Sequence, residues 1–155
     1  MIWTIIIITI ILVDQHTKYL ANTNLAAIRT YPIIQDIFHF TYVRNYGAAF
    51  GILQNQKWFF IILTSIIMIG IVYYMIRYAR HAKYRRLIML SLAMVLGGAV
   101  GNLIDRIRFG YVVDFFDFTL INYPVFNVAD IFIVAGTILL SYYLLFKYEE
   151  KKDEA

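Results

Sequence analysis

Asp114 stands in Val112-Val113-Asp114-Phe115, flanked by apolar side chains with no adjacent cation, and Asp130 follows Phe126-Asn127-Val128-Ala129 at the start of an apolar run. The 16 positions from 114 to 130 cover a loop that returns the chain to the same membrane face, so the two acids could meet. Two carboxyl groups sharing a site cannot both ionise easily. One then keeps a proton while the other acts as a base toward water. The plainer role for Asp130 is an acid in the first turn of a helix that Asn127 caps. Capping alone does not explain why it would face a second, uncompensated acid.

The chain has ten acidic residues, of which Glu149, Glu150, Asp153 and Glu154 form a C-terminal tail. The other six, Asp14, Asp36, Asp105, Asp114, Asp117 and Asp130, fall at or near the outer ends of apolar segments. An acid inside a bilayer is expensive unless paired or hydrated, which makes each a functional candidate. Asp14 and Lys18 are spaced to share a helix face and pair. That pair either orients its helix while Lys18 snorkels outward, or touches a substrate. Asn102, Asp105 and Arg106 share another face, and Gly97, Gly98 and Gly101 before them allow close helix packing. Asp105 beside Arg106 reads as an ionised polar clamp, a poor proton shuttle. Other catalytic sets are weak. His16, His39 and His81 are scattered, Ser65, Ser91 and Ser141 have no base nearby in sequence, and no metal-ligand spacing or phosphate loop occurs.

These residues need a membrane scaffold. Of 155 residues, 61% are hydrophobic and 15% charged, with a mean hydropathy of +0.67; lipid must be the solvent for much of this surface. Four stretches, about 2–21, about 57–77, about 87–106 and about 127–147, have the roughly 20 apolar residues that a spanning helix needs. A rise of about 1.5 Å per residue puts Asp14 roughly 18 Å into the membrane. The first run lacks a basic leader and a small-residue cleavage site, so it is expected to be a retained span. Arg77, Arg80, His81, Lys83, Arg85 and Arg86 lie between the second and third spans, which places that loop, and with it both termini, in the cytoplasm. Lys147, Lys151 and Lys152 agree. The net charge of +4 is therefore a topology signal, with no nucleic acid implied. The absence of cysteine excludes disulfides, thiolate metal sites and a cysteine nucleophile.

Segments of about 22–56 and about 107–126 are left outside. In the first, Ile37 to Val43 alternates as short strands do, predicting a small sheet on the membrane surface. Phe50, between Gly47 and Gly51, is placed to dip into lipid. The second segment is aromatic, and several of the 13 Tyr, 12 Phe and 2 Trp lie near span ends as interfacial anchors. The expected architecture is a membrane all-α fold of four transmembrane helices with a small extracytoplasmic β-sheet, in a single domain over residues 1–155.

Five blocks in order, Asp14-Gln15-His16-Thr17-Lys18, Asn45-Tyr46-Gly47-Ala48-Ala49-Phe50-Gly51, Gly97 to Arg106, Val112-Val113-Asp114-Phe115 and Phe126-Asn127-Val128-Ala129-Asp130, give a chain that resembles the lipoprotein signal peptidase (signal peptidase II) family over nearly its whole length. His16 and Ile131 depart from the family's usual residues without touching a carboxylate. The resemblance implies a catalytic pair at Asp114 and Asp130, with Asp14, Lys18, Asn45, Gly47, Asn102, Asp105, Arg106, Asn127 and Ala129 shaping or lining the site. It also implies a cradle-like surface sheet, a mobile loop over the site, and a bacterial cytoplasmic membrane location. The implied reaction cleaves prolipoproteins before a cysteine carrying diacylglyceryl, with membrane lipid as a partner and globomycin-type peptides as inhibitors. An aspartyl pair needs no cofactor. On the residues alone, a small transporter using Asp14, Asp114 and Asp130 as a relay, or a non-catalytic assembly subunit packed through its glycines, remains an alternative.

The topology is open to test with cysteines added to this cysteine-free chain. In right-side-out vesicles, a membrane-impermeant maleimide should label Asn122→Cys and spare Lys83→Cys; the reverse pattern would overturn the orientation.

Overall fold

The computed structural model describes residues 1–48, 52–78 and 85–147. Phe50, the loop cations Arg80, His81 and Lys83, and the tail after Lys147 lie outside the described residues. Among the described residues, four helices are long and apolar enough to cross a bilayer: α1 (Ile2–Leu25), α2 (Lys57–Tyr78), α3 (Arg85–Phe109) and α4 (Val128–Tyr142), the last continuing as a π-helical turn over Tyr143–Lys147. A three-stranded antiparallel sheet of β1 (Thr30–Ile34), β2 (Phe38–Asn45) and β3 (Val112–Asp117), in that spatial order, sits at one end of the bundle.

α1 and α3 run past their expected outer ends at about 21 and about 106. In α1 the polar run stays helical because Thr23 and Asn24 donate back to the carbonyls of Tyr19 and Leu20 at 2.9 and 2.8 Å. α3 stops at Gly110, whose φ of +84° and N–H bond to the Arg106 carbonyl (3.1 Å) form a left-handed cap. The expected sheet between α1 and α2 is present, and β3 from the aromatic second segment completes it.

The helices divide between lipid and core. In α3, 56% of the apolar span is buried, against 6% in α2, so α3 is the central post and α2 faces mostly outward. Small residues set how closely the others approach it. A Cβ at Gly97 would lie 2.9 Å from Ile10 Cβ of α1, one at Gly98 would overlap the Ala129 carbonyl oxygen of α4, and one at Gly101 would overlap the Asp14 carboxylate. Gly136 of α4 returns the approach, its missing Cβ lying 2.7 Å from the Ser91 carbonyl oxygen.

The sheet is tied to this post through β3. Val43 of β2 pairs with Asp114, Arg44 with Val113 and Asn45 with Val112, which sets Asn45 beside the Asp114 strand. Val113, Phe115, Ala21, Leu25 and Val128 form a buried apolar cluster joining β3 to α1 and α4. Beyond it, Phe38, Phe40, Phe116, Phe118 and Phe126 pack edge-on, tilted or stacked with centroids 4.9–6.2 Å apart. Phe116 bridges Phe126, bringing the chain back to the start of α4 and shortening the path from Asp114 to Asp130.

Gly98→Ala should lower the melting temperature by the equivalent of about 1–3 kcal/mol, as overpacking does. Gly70→Ala, in α2 with nothing near its missing Cβ, should leave it unchanged or raise it, since Ala favours a helix over Gly. Equal effects in thermal denaturation would contradict the packing of α4 on α3.

Candidate active site

Asp114 on β3 and Asp130 in the first turn of α4 line one cavity of about 210 Å³. Asn45, Gly47, Asn102 and Arg106 contribute to its polar wall, while Tyr123, Pro124, Val125, Ile133 and Val134 supply much of its apolar one. Asn127 caps α4, its Oδ1 accepting from the Asp130 N–H at 3.0 Å, while Asp130 Oδ2 accepts from the Asn127 N–H at 3.1 Å. The Asn127 cap expected from the sequence is present, and the structure closes it into a reciprocal capping box that leaves the other Asp130 oxygen, Oδ1, for a further donor.

Three carboxamides aim N–H groups at the two acids. Asn45 Nδ2 donates to Asp114 Oδ2 at 2.9 Å, Asn127 Nδ2 to Asp114 Oδ1 at 2.6 Å, and Asn102 Nδ2 to Asp130 Oδ1 at 2.8 Å. None of these amides can turn over without loss, because each carbonyl oxygen is claimed by a donor. Asn45 Oδ1 accepts from the Gly47 N–H, Asn102 Oδ1 from Lys18 Nζ at 2.8 Å, and Asn127 Oδ1 from the Asp130 N–H. A backbone N–H or an ammonium has no acceptor to offer, so the orientations are forced.

Asp114 is 2% exposed. Burial first, then the neighbouring charge of Asp130, push its carboxyl up to about 7, against the opposing N–H bonds from Asn45 and Asn127. Asp114 therefore holds or releases a proton close to neutral pH, the range in which an acid–base group works best.

Behind the pair lies a second cluster. Lys18 Nζ is 2.9 Å from Asp14 Oδ2 and 3.2 Å from Asp105 Oδ2. Lys18 is 3% exposed and Asp14 fully buried, so the ion pair forms as its spacing predicted but Lys18 does not snorkel. It turns inward because α3 offers it a carboxylate and a carboxamide. Asp105 pairs with Lys18, not with Arg106, since sequence neighbours on a helix point apart. Arg106 instead donates to the Gly47 carbonyl at 3.1 Å and lies 4.8 Å over the Phe60 ring, tying the segment after β2 to α3 and α2. Ala129, fully buried, contributes its N–H to Asp14 Oδ1 at 2.9 Å.

All eleven residues singled out in the sequence thus fall in two linked clusters. The remaining outer acids do not join them: Asp36 occupies the β1–β2 turn with φ +59°, and Asp117 accepts from Thr41 Oγ1 at 2.6 Å. Gln15 was not among the candidates. Its Nε2 donates to Asp105 Oδ1 at 2.9 Å and to the Gly101 carbonyl at 3.2 Å. Its only sequence signal is an amide beside Asp14 in an apolar helix.

The fold and site define a polytopic membrane protein with two hydrogen-bonded aspartates converging on a cavity at one end of its helices. The family described as Signal peptidase (SPase) II matches residues 6–146. Lipoprotein signal peptidases similar to this chain include that of Caldanaerobacter subterraneus subsp. tengcongensis, 51% identical over 92% of this chain and 95% of that protein. Those of Clostridioides difficile (46%, covering 97% and 99%) and Bacillus subtilis (43%, covering 99% and 99%) are also similar. Two solved structures, each described as a bacterial membrane enzyme structure by the in meso method, superpose with TM-scores of 0.83 and 0.80. They are 34% and 36% identical and cover 96% and 93% of this chain, and 90% and 92% of their own. The chain belongs to the signal peptidase II family and is a multi-pass bacterial membrane peptidase.

The raised Asp114 fixes the sign of a stability effect. A carboxyl whose folded pKa exceeds its usual 3.8 stabilises fully below that value and loses the contribution as pH rises through about 7. The melting temperature of wild type minus that of Asp114→Asn should therefore fall between about pH 4 and about pH 7 and level off above. A constant difference would contradict the assignment.

Proposed function

We propose that this protein cleaves lipoprotein signal peptides as an intramembrane aspartyl endopeptidase, cutting on the N-terminal side of a cysteine that carries diacylglyceryl. The observation that carries this reading is the set of oriented amides holding two acids around one cavity, with Asp114 tuned near neutrality. Family membership and the lipoprotein signal peptidases among its relatives support the substrate class.

In this mechanism Asp114 and Asp130 are the catalytic residues and share one proton. Asp114, the more deeply buried, holds it at neutral pH. Asp130, in the first turn of α4, is the base. Asp130 takes a proton from water as the oxygen attacks the scissile carbonyl, while the Asp114 hydroxyl hydrogen-bonds the carbonyl oxygen. The tetrahedral intermediate collapses as a proton passes to the departing amine, and the dyad returns to one shared proton. Asn and Arg side chains at the cavity, Asn45, Asn102 and Arg106 among them, hold the peptide backbone or the lipid ester. The signal helix packs laterally against the enzyme's helices while the acyl chains stay in the bilayer. Residues 1–155 act as one membrane-embedded unit, with both termini cytoplasmic and the dyad toward the outer face. No metal or organic cofactor takes part.

The test uses detergent-purified protein and a diacylglyceryl-modified prolipoprotein. Wild type should cleave it and be inhibited by a globomycin-type cyclic peptide. Asp114→Asn and Asp130→Asn, folded, should each lose at least about a hundredfold in kcat. Normal cleavage by either variant would remove that residue from the chemistry.

A further inference from the structure

The Lys18 ammonium is the meeting point of two matched chains of contact. Through Asp14 it reaches the Ala129 N–H (Lys18–Asp14 2.9 Å, Ala129 N to Asp14 Oδ1 2.9 Å). Through Asp105 it reaches the Val113 N–H (Lys18–Asp105 3.2 Å, Val113 N to Asp105 Oδ2 3.1 Å). Ala129 immediately precedes Asp130, and Val113 immediately precedes Asp114. One buried cation on α1 therefore anchors, through one carboxylate apiece, the backbone amide beside each acid of the dyad. Its third bond, to Asn102 Oδ1, turns that amide's N–H toward Asp130.

We infer that Lys18, with Asp14 and Asp105, is a positioning device that sets the separation of Asp114 and Asp130, rather than a substrate contact or a simple helix tie. The inference rests on the proposed catalytic roles of those two aspartates. Its physical basis is that β3 and the start of α4, already joined by the Phe116–Phe126 bridge and the Asn127–Asp114 bond, are each also held by the amide before its acid. Lys18 with its two carboxylates ties those two amides to one point on α1. The ammonium's three donors are all used, leaving none for a ligand. Removing the cation would leave two buried carboxyl groups without their charged partner. Loss of any member should let both acids drift, since preorganised groups lose efficiency with small displacements.

The experiment compares detergent-purified wild type with Lys18→Met, Asp14→Asn, Asp105→Asn and the triple variant. It reads kcat, KM, melting temperature and the pH profile of kcat on the diacylglyceryl-modified prolipoprotein. Each folded single variant should lose at least about tenfold in kcat with KM within about threefold. The alkaline limb of the profile should move, because a changed spacing changes the repulsion between the two acids. The triple variant should be no worse than the worst single, as expected of groups acting as one unit. If Lys18→Met does not fold, the two Asn variants, which keep an oxygen acceptor for the anchored amides, carry the test. Wild-type kcat and an unmoved profile in any folded single variant would overturn the inference, as would a loss confined to KM or additive losses in the triple. Asp114→Asn and Asp130→Asn run alongside. If these cleave normally the catalytic reading fails. If they are inactive while the Lys18 set is unimpaired, only the positioning role fails.

Discussion

A carboxylate removed from water must be given hydrogen-bond donors or a cation, and this requirement organises the membrane-edge half of the protein. Asp14, Asp105 and Asp114 are essentially buried, and Asp130 shares the cavity with Asp114. The donors come from every element nearby. Lys18 and Gln15 arrive from α1, Asn102 from α3, Asn45 from β2, Asn127 from the α4 cap, and main-chain N–H groups from Val113, Ala129 and Asn127. The fold around the site is the arrangement that lets those donors converge. The glycines of α3 matter because a side chain at Gly98 or Gly101 would occupy the space of the Ala129 carbonyl or the Asp14 carboxylate.

Compensation is uneven, and the unevenness is where chemistry becomes available. Asp14 and Asp105 share a full ammonium. Asp114 accepts from two neutral amides, with a second acid across the cavity. Burial and the neighbouring charge of Asp130 outweigh those neutral donors, which stabilise an anion less than a cation does, and push the Asp114 carboxyl up to about 7. The same buried network thus anchors Asp14 and Asp105 on a cation and leaves Asp114 beside a second acid.

Much of this was legible in the sequence because helical spacing is a strong constraint. Asp14 with Lys18, the Asn127–Asp130 cap and the glycine face of α3 followed from i, i+3 and i+4 arithmetic. The features that were not legible depend on partners distant in sequence. β3 was hidden because Val112 to Phe118 places apolar or aromatic residues and one acid, Asp114 or Asp117, on each face, so a polar–apolar alternation is absent. It is buried on both sides at Val112 to Phe115, as a strand between helices must be. Spacing alone left Lys18 either reaching outward or touching a substrate, whereas a carboxylate and a carboxamide 84 to 87 positions away hold it inward. Gln15 carries no distinguishing pattern, since an amide on a helix gains its meaning only from what it faces.

The central claim is that Asp114 and Asp130 hold one proton between them at neutral pH. Infrared difference spectroscopy of the protein titrated through about pH 7 reads the buried carboxylic-acid stretch directly. The account predicts a protonated-carboxyl band that is lost as pH rises through that value, is absent in Asp114→Asn, and is lost at lower pH in Asp130→Asn, where the neighbouring charge is gone. A band that survives in Asp114→Asn, or a titration that Asp130→Asn leaves unmoved, would contradict it.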